Sequence, residues 1–410
     1  MRRLITTTKC ILDNLLFNGY SLMSDPRSLF IFSGEPSADV HGALLVESLR
    51  SLNSSLKIYG VGGARLQEAG VEIFRDNGDL AVVGFWEVLK HYWKFKKLLK
   101  DVVAFIQKQN VEMVILIDYP GFNLRLAERL CTSKVKVVYY ISPQLWAWGK
   151  NRMNDIREYV DHMIVIFDFE RTLYEKAGIP VTFVGHPLMD KFEETLNTEV
   201  LNAFLNRKNK EPLIAFLPGS RKEEVSRLVP IFLEVLAQLR KQMPDFQFVF
   251  SAASQERSDE IQKMCRDFGE LCGTDSPPVF LGDVKQIMKE SFALVVASGT
   301  ASLESALYTT PMVVVYRMNP FSYWIIKFLI QIKNISLVNV ILGRKAVPEL
   351  IQSDCNPSRI VEEILKYKND AEYRARVQET LLSVKQKLGV PGASVRAAQT
   401  IIKVLDEKIS

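Results

Sequence analysis

Short runs rich in β-branched residues alternate with longer amphipathic stretches along most of this chain. This alternation is typical of βα units and predicts parallel sheets covered by helices. A charged, weakly periodic stretch, 186–212, divides the strand-like runs into two series. The pattern therefore predicts an α/β protein with two doubly wound domains. The runs are 28–33, 112–118, 135–141 and 162–167, and then 213–217, 246–251, 278–281, 293–297 and 312–316.

The domain boundary is predicted between Gly185 and Pro212. We assign a first domain to 28–190, a second to 191–390 and a C-terminal helix to 391–410, where apolar side chains recur on one face. The length of 410 residues supports this division, because one core rarely serves a chain of that size. Doubly wound domains hold ligands at the carboxyl ends of their strands, so two that face each other form a cleft suited to two substrates.

The composition argues against several classes of protein. Hydrophobic residues make up 48% and charged residues 24%, and the net charge of +5 is too small to indicate nucleic acid binding. Neither a disulfide framework nor a metal site is expected, because no C-x-x-C, D-x-D or paired histidines occur, and we expect no cofactor. The cysteines are Cys10, Cys131, Cys265, Cys272 and Cys355, and the histidines are His41, His91, His162 and His186.

No stretch reaches the ~18 uncharged apolar residues that a bilayer crossing needs. The most apolar candidate, 321–332, is shorter and carries Lys327. The first 22 residues are basic and rich in hydroxyl groups, but Asp13 interrupts any apolar run, so they make a poor signal peptide. They are either a transit peptide or an extension ahead of a start at Met23. We favour the extension and place 1–27 outside the first domain.

The first predicted strand leads into 33-SGEPSADVHG-42, whose small and polar residues open a helix. Ser37 or Asp39 is suited to cap this helix, and backbone N–H groups in such a loop can hold a ligand. An ordinary βα turn explains the segment equally well. The nearby cluster 60-GVGGAR-65 departs from G-x-G-x-x-G at Arg65, so we discount a dinucleotide site there.

Two further strands end in side chains suited to a site. Asp118 is the last residue of the run 112–118, where its carboxylate can point into the cleft and accept a proton. The alternative is a cap for the next helix, although Asn123 could serve that purpose. Trp146 and Trp148 follow the next strand, where core packing is a slightly better explanation than a substrate wall.

The second domain carries two turns suited to an anion. In 214-IAFLPGSR-221, backbone N–H groups, the Ser220 hydroxyl and the Arg221 guanidinium can hold a diphosphate. A second turn, 298–300, places donors at a helix N-terminus, and Glu304 one turn later can accept both ribose hydroxyls. Two such turns in one domain predict a site for a nucleoside diphosphate.

One predicted helix, 80–106, combines aromatic residues with a lysine-rich flank. This composition suits the surface of an anionic membrane, and the alternative is a packed helix whose lysines face water. We favour the membrane, with 320–334 as an addition to the same surface. The predicted membrane contacts are Val83, Trp86, Leu89, Trp93, Lys94 and Lys97.

Taken together, these segments resemble the lipid-A-disaccharide synthase family, glycosyltransferases of the GT-B fold. They occur in the family's order and cover roughly 28–390. The family's first loop usually has S-G-D after the glutamate, where this chain has 37-SAD-39. The segments are 34-GEPSADVHG-42, 118-DYPGFN-123, 142-SPQLWAW-148, 185-GHPLMD-190, 217-LPGSR-221, 298-SGTASLE-304, 316-YRMNPFSYW-324 and 336-SLVN-339.

The resemblance implies that a UDP-2,3-diacylglucosamine donor gives its sugar to 2,3-diacylglucosamine 1-phosphate, with inversion and release of UDP. It implies that Asp118 is the general base, without a metal, and that the first domain binds the acceptor and the second the nucleotide sugar. The implied acceptor contacts are Glu35, Ser37 and Asp39. The implied nucleotide contacts are Gly219, Ser220, Arg221, Ser298, Gly299, Thr300, Glu304 and Asn339.

The resemblance also implies a cytoplasmic protein bound peripherally to the inner face of the inner membrane of a Gram-negative bacterium. The sequence leaves the oligomeric state open, with a homodimer as one candidate, and gives no acyl-chain length. Two other functions stay open: a UDP-sugar 2-epimerase of the same fold, and a nucleotide- or lipid-binding protein without catalysis.

Overall fold

The computed structural model describes residues 27–80, 85–143, 145, 152–207, 211–273, 275–319 and 334–407. Two parallel sheets with helices packed against them organise these residues. The prediction of an α/β protein with two doubly wound domains is therefore confirmed.

The first sheet is built from β1 (Ser28–Ser33), β2 (Lys57–Gly62), β3 (Glu72–Asp76), β4 (Met113–Ile117), β5 (Lys136–Tyr140), β6 (His162–Val165) and β7 (Val181–Phe183). Its order is β3-β2-β1-β4-β5-β6-β7, and all the pairings are parallel. The strand order reverses between β1 and β4, and such a switch point opens a crevice at the carboxyl ends. Both of these strands are buried along their whole length, which explains their continuous apolar runs.

The second sheet is built from β8 (Leu213–Leu217), β9 (Gln247–Ser251), β10 (Val279–Phe280), β11 (Ser291–Ala297), β12 (Met312–Tyr316) and β13 (Glu349–Ile351). Its order is β10-β9-β8-β11-β12-β13, again parallel throughout. The switch point here lies between β8 and β11, so the turns that follow these two strands are neighbours.

The helices follow the strands in βα order. The described α-helices are α1 (Pro36–Leu52), α2 (Ala64–Glu68), α3 (Phe85–Lys108), α4 (Pro120–Leu130), α5 (Arg152–Tyr159), α6 (Asp168–Lys176), α7 (Glu199–Phe204), α8 (Lys222–Gln242), α9 (Gln255–Cys272), α10 (Val284–Glu290), α11 (Thr300–Leu307), α12 (Leu337–Leu342), α13 (Pro357–Asn369), α14 (Ala371–Lys387) and α15 (Ala393–Asp406). Short 3₁₀ segments lie at Asn77–Leu80, Pro187–Lys191 and Gln352–Asp354.

The chain passes between the two sheets twice. The first connection, 184–192, leaves β7, and the second, 388–392, returns to α15, which lies against α1, β5 and β6. The predicted apolar face of this last helix is largely buried through Ala398, Ile401 and Leu405, whereas Val395 is exposed. The C-terminal helix therefore packs on the first sheet although it follows the second in sequence.

None of the helices within these ranges is long and apolar enough to cross a membrane. Over the same ranges, no group of three or more His, Cys, Asp or Glu side chains is arranged to hold a metal ion. Cys131, Cys265 and Cys355 are free thiols.

Candidate active site

Asp118 directly follows β4 at the switch point of the first sheet. Both Asp118 and the next residue, Tyr119, have a left-handed backbone with φ of 46°, which is uncommon for non-glycine residues. Two donors hold this backbone, because Asn123 Nδ2 lies 2.6 Å and the Tyr139 hydroxyl 2.5 Å from the Asp118 carbonyl oxygen. The surrounding structure therefore holds the backbone that carries the carboxylate.

The alternative explanation, in which Asp118 or Asn123 caps the following helix, is not supported. The helix α4 begins at Pro120, after Tyr119, and no side chain caps it. Asn123 is fully buried inside the first turn, where its amide donates to the carbonyls of Ile117 and Asp118. The capping explanation is thus removed, and Asn123 and Tyr139 are positioning residues that the sequence did not reveal.

The electrostatic surroundings suit Asp118 to proton transfer. Burial, and secondly the negative charge of Glu35, raises the pKa of its carboxyl group to about 6. The same two causes raise the pKa of Tyr119. At neutral pH the Asp118 carboxylate is therefore ionised, yet a much better proton acceptor than an ordinary aspartate.

Glu35 comes close to Asp118 because the loops after β1 and β4 pack tightly. A Cβ atom on Gly34 would lie 2.7 Å from two ring carbons of Tyr119, so only glycine fits there. In the same two segments, the Phe32 ring stacks on Phe122 with centroids 4.3 Å apart. Two of the predicted residues, Glu35 and Asp118, are in this way brought to one place.

The side chain of Asp39 holds the neighbouring glycine cluster. Its buried carboxylate accepts hydrogen bonds from the backbone N–H groups of Gly63 at 2.6 Å and Arg65 at 3.0 Å. It therefore positions the glycine cluster at the start of α2, and the predicted contact of Asp39 with the acceptor stays a prediction. Neither Asp39 nor Ser37 caps α1, since Glu35 precedes this helix without a side-chain cap, and Ser37 is exposed in its first turn.

The first turn of the second domain follows β8. Gly219 has a left-handed φ of 98°, and a Cβ atom there would lie 2.2 Å from a Glu224 oxygen. Arg221 precedes α8, with its side chain 81% exposed and one guanidinium nitrogen 3.4 Å from Glu224. An exposed pair of this length contributes at most about 1 kcal/mol, so Arg221 is free to bind another anion. Ser220 is exposed beside it.

The second turn follows β11, next to the first in the sheet. Gly299 and Thr300 are exposed where α11 begins, and Ser298 is half-buried. Glu304 lies one turn into the helix, where burial raises the pKa of its carboxyl group while Lys285 opposes that rise. The two predicted turns thus lie at neighbouring strand ends.

Asn339, the remaining residue predicted for the nucleotide, lies in α12. Its fully buried amide donates to Val347 O at 2.9 Å and to Glu349 Oε1 at 2.7 Å, and its oxygen accepts from the backbone N–H groups of Ala346 and Val347. These bonds use its donors and acceptor lone pairs, so it fixes the loop before β13. The predicted contact of Asn339 with the nucleotide stays a prediction.

The predicted membrane helix is α3, and only part of it is described at the level of side chains. In the later half of this helix, Leu98, Val102 and Ile106 are buried. The Trp93 side chain is 73% exposed, and the Lys96 ammonium lies 5.7 Å from its ring centroid. Lys94, Lys97 and Lys100 are exposed on the same outer side. Val83, the side chains of Trp86 and Leu89, Trp146, Trp148 and 320–333 lie outside the described residues.

Two facing α/β domains of this kind define a GT-B protein, and the solved structures that are similar have this fold. One is the S. aureus MnaA–UDP co-structure, with a TM-score of 0.62, 13% identity, and coverage of 94% of this chain and 99% of that one. Another is the UDP-GlcNAc 2-epimerase from Neisseria meningitidis bound to UDP-GlcNAc, with a TM-score of 0.60, 13% identity, and coverage of 92% and 100%. At such identities the likeness shows the fold alone.

The sequence comparisons define the family. A family profile described as lipid-A-disaccharide synthetase matches residues 29–401. Curated lipid-A-disaccharide synthases from Geobacter sulfurreducens and Trichlorobacter lovleyi are 38% and 37% identical, each over 93% of this chain and 98% of the relative. The chain belongs to the lipid-A-disaccharide synthase family and is a glycosyltransferase.

Proposed function

We propose that this protein transfers 2,3-diacylglucosamine from UDP to the 6-hydroxyl of 2,3-diacylglucosamine 1-phosphate, with inversion at the anomeric carbon. The observation that carries the proposal is the Asp118 carboxylate at the switch point of the first sheet, on a backbone whose carbonyl oxygen accepts from Asn123 and Tyr139. Family membership supports the transfer reaction. The substrates and the inversion are our inference.

In the proposed step, Asp118 removes the proton from the acceptor's 6-hydroxyl as its oxygen attacks C1 of the donor sugar. The bond from C1 to the phosphate oxygen breaks, and its electron pair leaves with UDP. A single displacement of this kind inverts C1. A base with a pKa near 6 is ionised at neutral pH and strong enough to assist the attack.

On the donor side, we assign the diphosphate to the turn of Gly219, Ser220 and Arg221 together with the neighbouring turn 298–300. Backbone N–H groups at these helix starts and the guanidinium oppose the charge that builds up on the leaving phosphate. Glu304 is assigned to the ribose hydroxyls. On the acceptor side, Glu35 and the exposed Ser37 are assigned to the sugar.

The first test is product formation. The purified protein is given both acylated substrates, UDP release is followed, and the product is analysed by mass spectrometry and by NMR of the new anomeric proton. We expect one disaccharide 1-phosphate with a β-1,6 linkage for each UDP released. UDP release without a disaccharide, or an epimerised donor, would contradict the proposal and favour the epimerase.

The pH dependence follows from the raised pKa of Asp118. Below about pH 6 the carboxyl group is protonated in the free enzyme, so kcat/KM should fall tenfold per pH unit on the acid side. Because the charge of Glu35 contributes to the raised pKa, Glu35→Gln should move this acid limb to lower pH. Burial is the larger cause, so the limb should stay above the range of an ordinary aspartate. An acid limb that does not move in the variant would contradict this coupling.

We also propose that the protein binds peripherally to the inner face of the inner membrane of a Gram-negative bacterium. Both proposed substrates carry acyl chains, and the exposed face of α3 presents Trp93 with Lys94, Lys97 and Lys100. An aromatic ring and lysines on one outer face fit the interface of an anionic bilayer.

The triple variant Trp93→Ser, Lys94→Gln, Lys97→Gln should lose affinity for anionic vesicles. The two lysines alone account for about 2 kcal/mol, or roughly 30-fold, and the loss should shrink as salt is added. Leu271→Ser is the matched control, because Leu271 is 85% exposed on α9. Equal co-sedimentation of the triple variant and the control would reject this surface as the membrane contact.

A further inference from the structure

The two connections between the sheets touch each other. Gly185 in the first and Gly389 in the second have left-handed φ values of 83° and 86°. A Cβ atom on Gly389 would lie 3.3 Å from the Gly185 Cα, so the two backbones meet without room for side chains. The His186 N–H donates to the Leu388 carbonyl at 2.8 Å and joins them directly.

Arg396, in the first turn of α15, binds both connections with one guanidinium. Its Nε donates to Val184 O at 2.9 Å in the first connection. Its two terminal nitrogens donate to Pro391 O at 2.8 Å and Val390 O at 2.6 Å in the second. Because the guanidinium is planar and rigid, its bonds to three carbonyls hold these carbonyls in fixed relative positions. A lysine ammonium lacks this rigid planar geometry.

Asp190 forms hydrogen bonds that link the first connection to the second and to the start of α15. It belongs to the first connection, and its carboxylate accepts from the N–H groups of Gly392 at 2.6 Å, Ala393 at 3.0 Å and Ser394 at 3.2 Å, and from the Ser394 hydroxyl at 3.1 Å. These groups form the N-terminus of α15, where a negative charge is favourable. The first connection thus supplies Asp190 to the start of α15, and α15 supplies Arg396 to both connections.

The linked connections lie between the two proposed substrate sites. Lys191 ends the 3₁₀ segment next to Asp190, and its charge acts both on His41 of α1 and on Glu304 of α11. The helix α1 begins beside Glu35, and α11 follows the second anion turn. A change of angle at this point therefore changes the distance between the acceptor side and the donor side.

We propose that Asp190 and Arg396 are positioning residues of the transfer reaction, which tie the two connections into one hinge and thereby set the approach of the acceptor domain to the donor domain. The choice of assay rests on the proposed function. Transfer needs the attacking oxygen about 3–3.5 Å from C1, and a displacement of about 1 Å can cost on the order of 100-fold in rate. UDP alone contacts only the second domain, so its binding does not need a fixed hinge.

The kinetic test compares Arg396→Ala, Arg396→Lys, Asp190→Ala and Asp190→Asn in the full-length protein. We expect kcat per folded molecule to fall about 10- to 100-fold in the alanine variants, with unchanged UDP affinity by calorimetry. Arg396→Lys and Asp190→Asn keep part of the hydrogen bonds, so their kcat should lie between the alanine variants and the wild type.

Arg240→Ala is the control, because Arg240 also donates to a main-chain carbonyl, that of Asp275, away from the hinge. Wild-type kcat in both alanine variants would overturn the proposal, as would parallel losses of kcat and UDP affinity.

Hydrogen exchange tests the linkage without activity. Arg396→Ala should speed exchange of the His186 amide in the other connection, and Asp190→Ala should speed exchange of the Gly392 and Ala393 amides. If the wild type forms no disaccharide, the proposed substrates are wrong and exchange alone decides on the hinge. Unchanged exchange of the His186 amide in Arg396→Ala, and of the Gly392 and Ala393 amides in Asp190→Ala, would overturn the linkage.

Discussion

Replacing Asp118 by asparagine is expected to lower kcat by about 10²- to 10⁴-fold, the usual contribution of a positioned general base. Asparagine keeps the size of the side chain and tolerates the left-handed backbone at φ 46°, where alanine would add strain. The variant therefore removes the base and leaves the loop after β4 intact. UDP affinity should not change, because the nucleotide turns lie in the other domain.

The stability of this variant separates a base from a structural carboxylate. Burial raises the pKa of Asp118 above that of an unfolded aspartate, so its charge costs folding free energy above about pH 6. Asp118→Asn should therefore keep or raise Tm at pH 8, while kcat collapses. A variant with lower Tm and activity reduced only by the loss of folded protein would contradict the assignment. Full activity would remove Asp118 from the mechanism.

Much of the fold could be predicted because the central strands are buried on both faces. The runs at 28–33 and 112–118 became β1 and β4, and all five predicted strands of the second domain are present. The strands that could not be predicted lack a continuous apolar run of this kind. β2 carries Gly60 and Gly62, β3 is largely exposed and charged, and β7 and β13 have three residues each.

The site was predictable only where it depends on the ends of strands. Asp118 and the turns at Gly219 and Gly299 follow directly from strand–turn–helix order. The contacts of Asp39 and Asn339 could not be predicted from the sequence. Asp39 accepts from backbone groups that lie far away in sequence, and Asn339 accepts from backbone groups in a loop without periodicity. The approach of Glu35 to Asp118 depends on β1 pairing with β4, which one sequence does not show.

Replacing Arg221 by alanine is expected to reduce kcat by about 10²- to 10³-fold, as when one donor to a developing charge is removed. UDP affinity should fall as well, because the guanidinium would contact the diphosphate in both the bound and the reacting state. Arg221→Lys keeps the charge but not the bidentate geometry, so its kcat and UDP affinity should lie between those of Arg221→Ala and the wild type. Initial rates and UDP titrations by calorimetry measure the two effects separately.

We expect Arg221→Ala to lose kcat and UDP affinity without losing folding stability. The Arg221 side chain is 81% exposed, and its pair with Glu224 at 3.4 Å is worth at most about 1 kcal/mol. Arg376→Ala is the matched control, because Arg376 forms the same kind of exposed pair with Glu372 on α14. The control should keep wild-type kcat, and both variants should keep Tm. If Arg221→Ala binds UDP as the wild type does and keeps its kcat, the diphosphate does not lie at the turn after β8, and the turn after β11 must hold it alone.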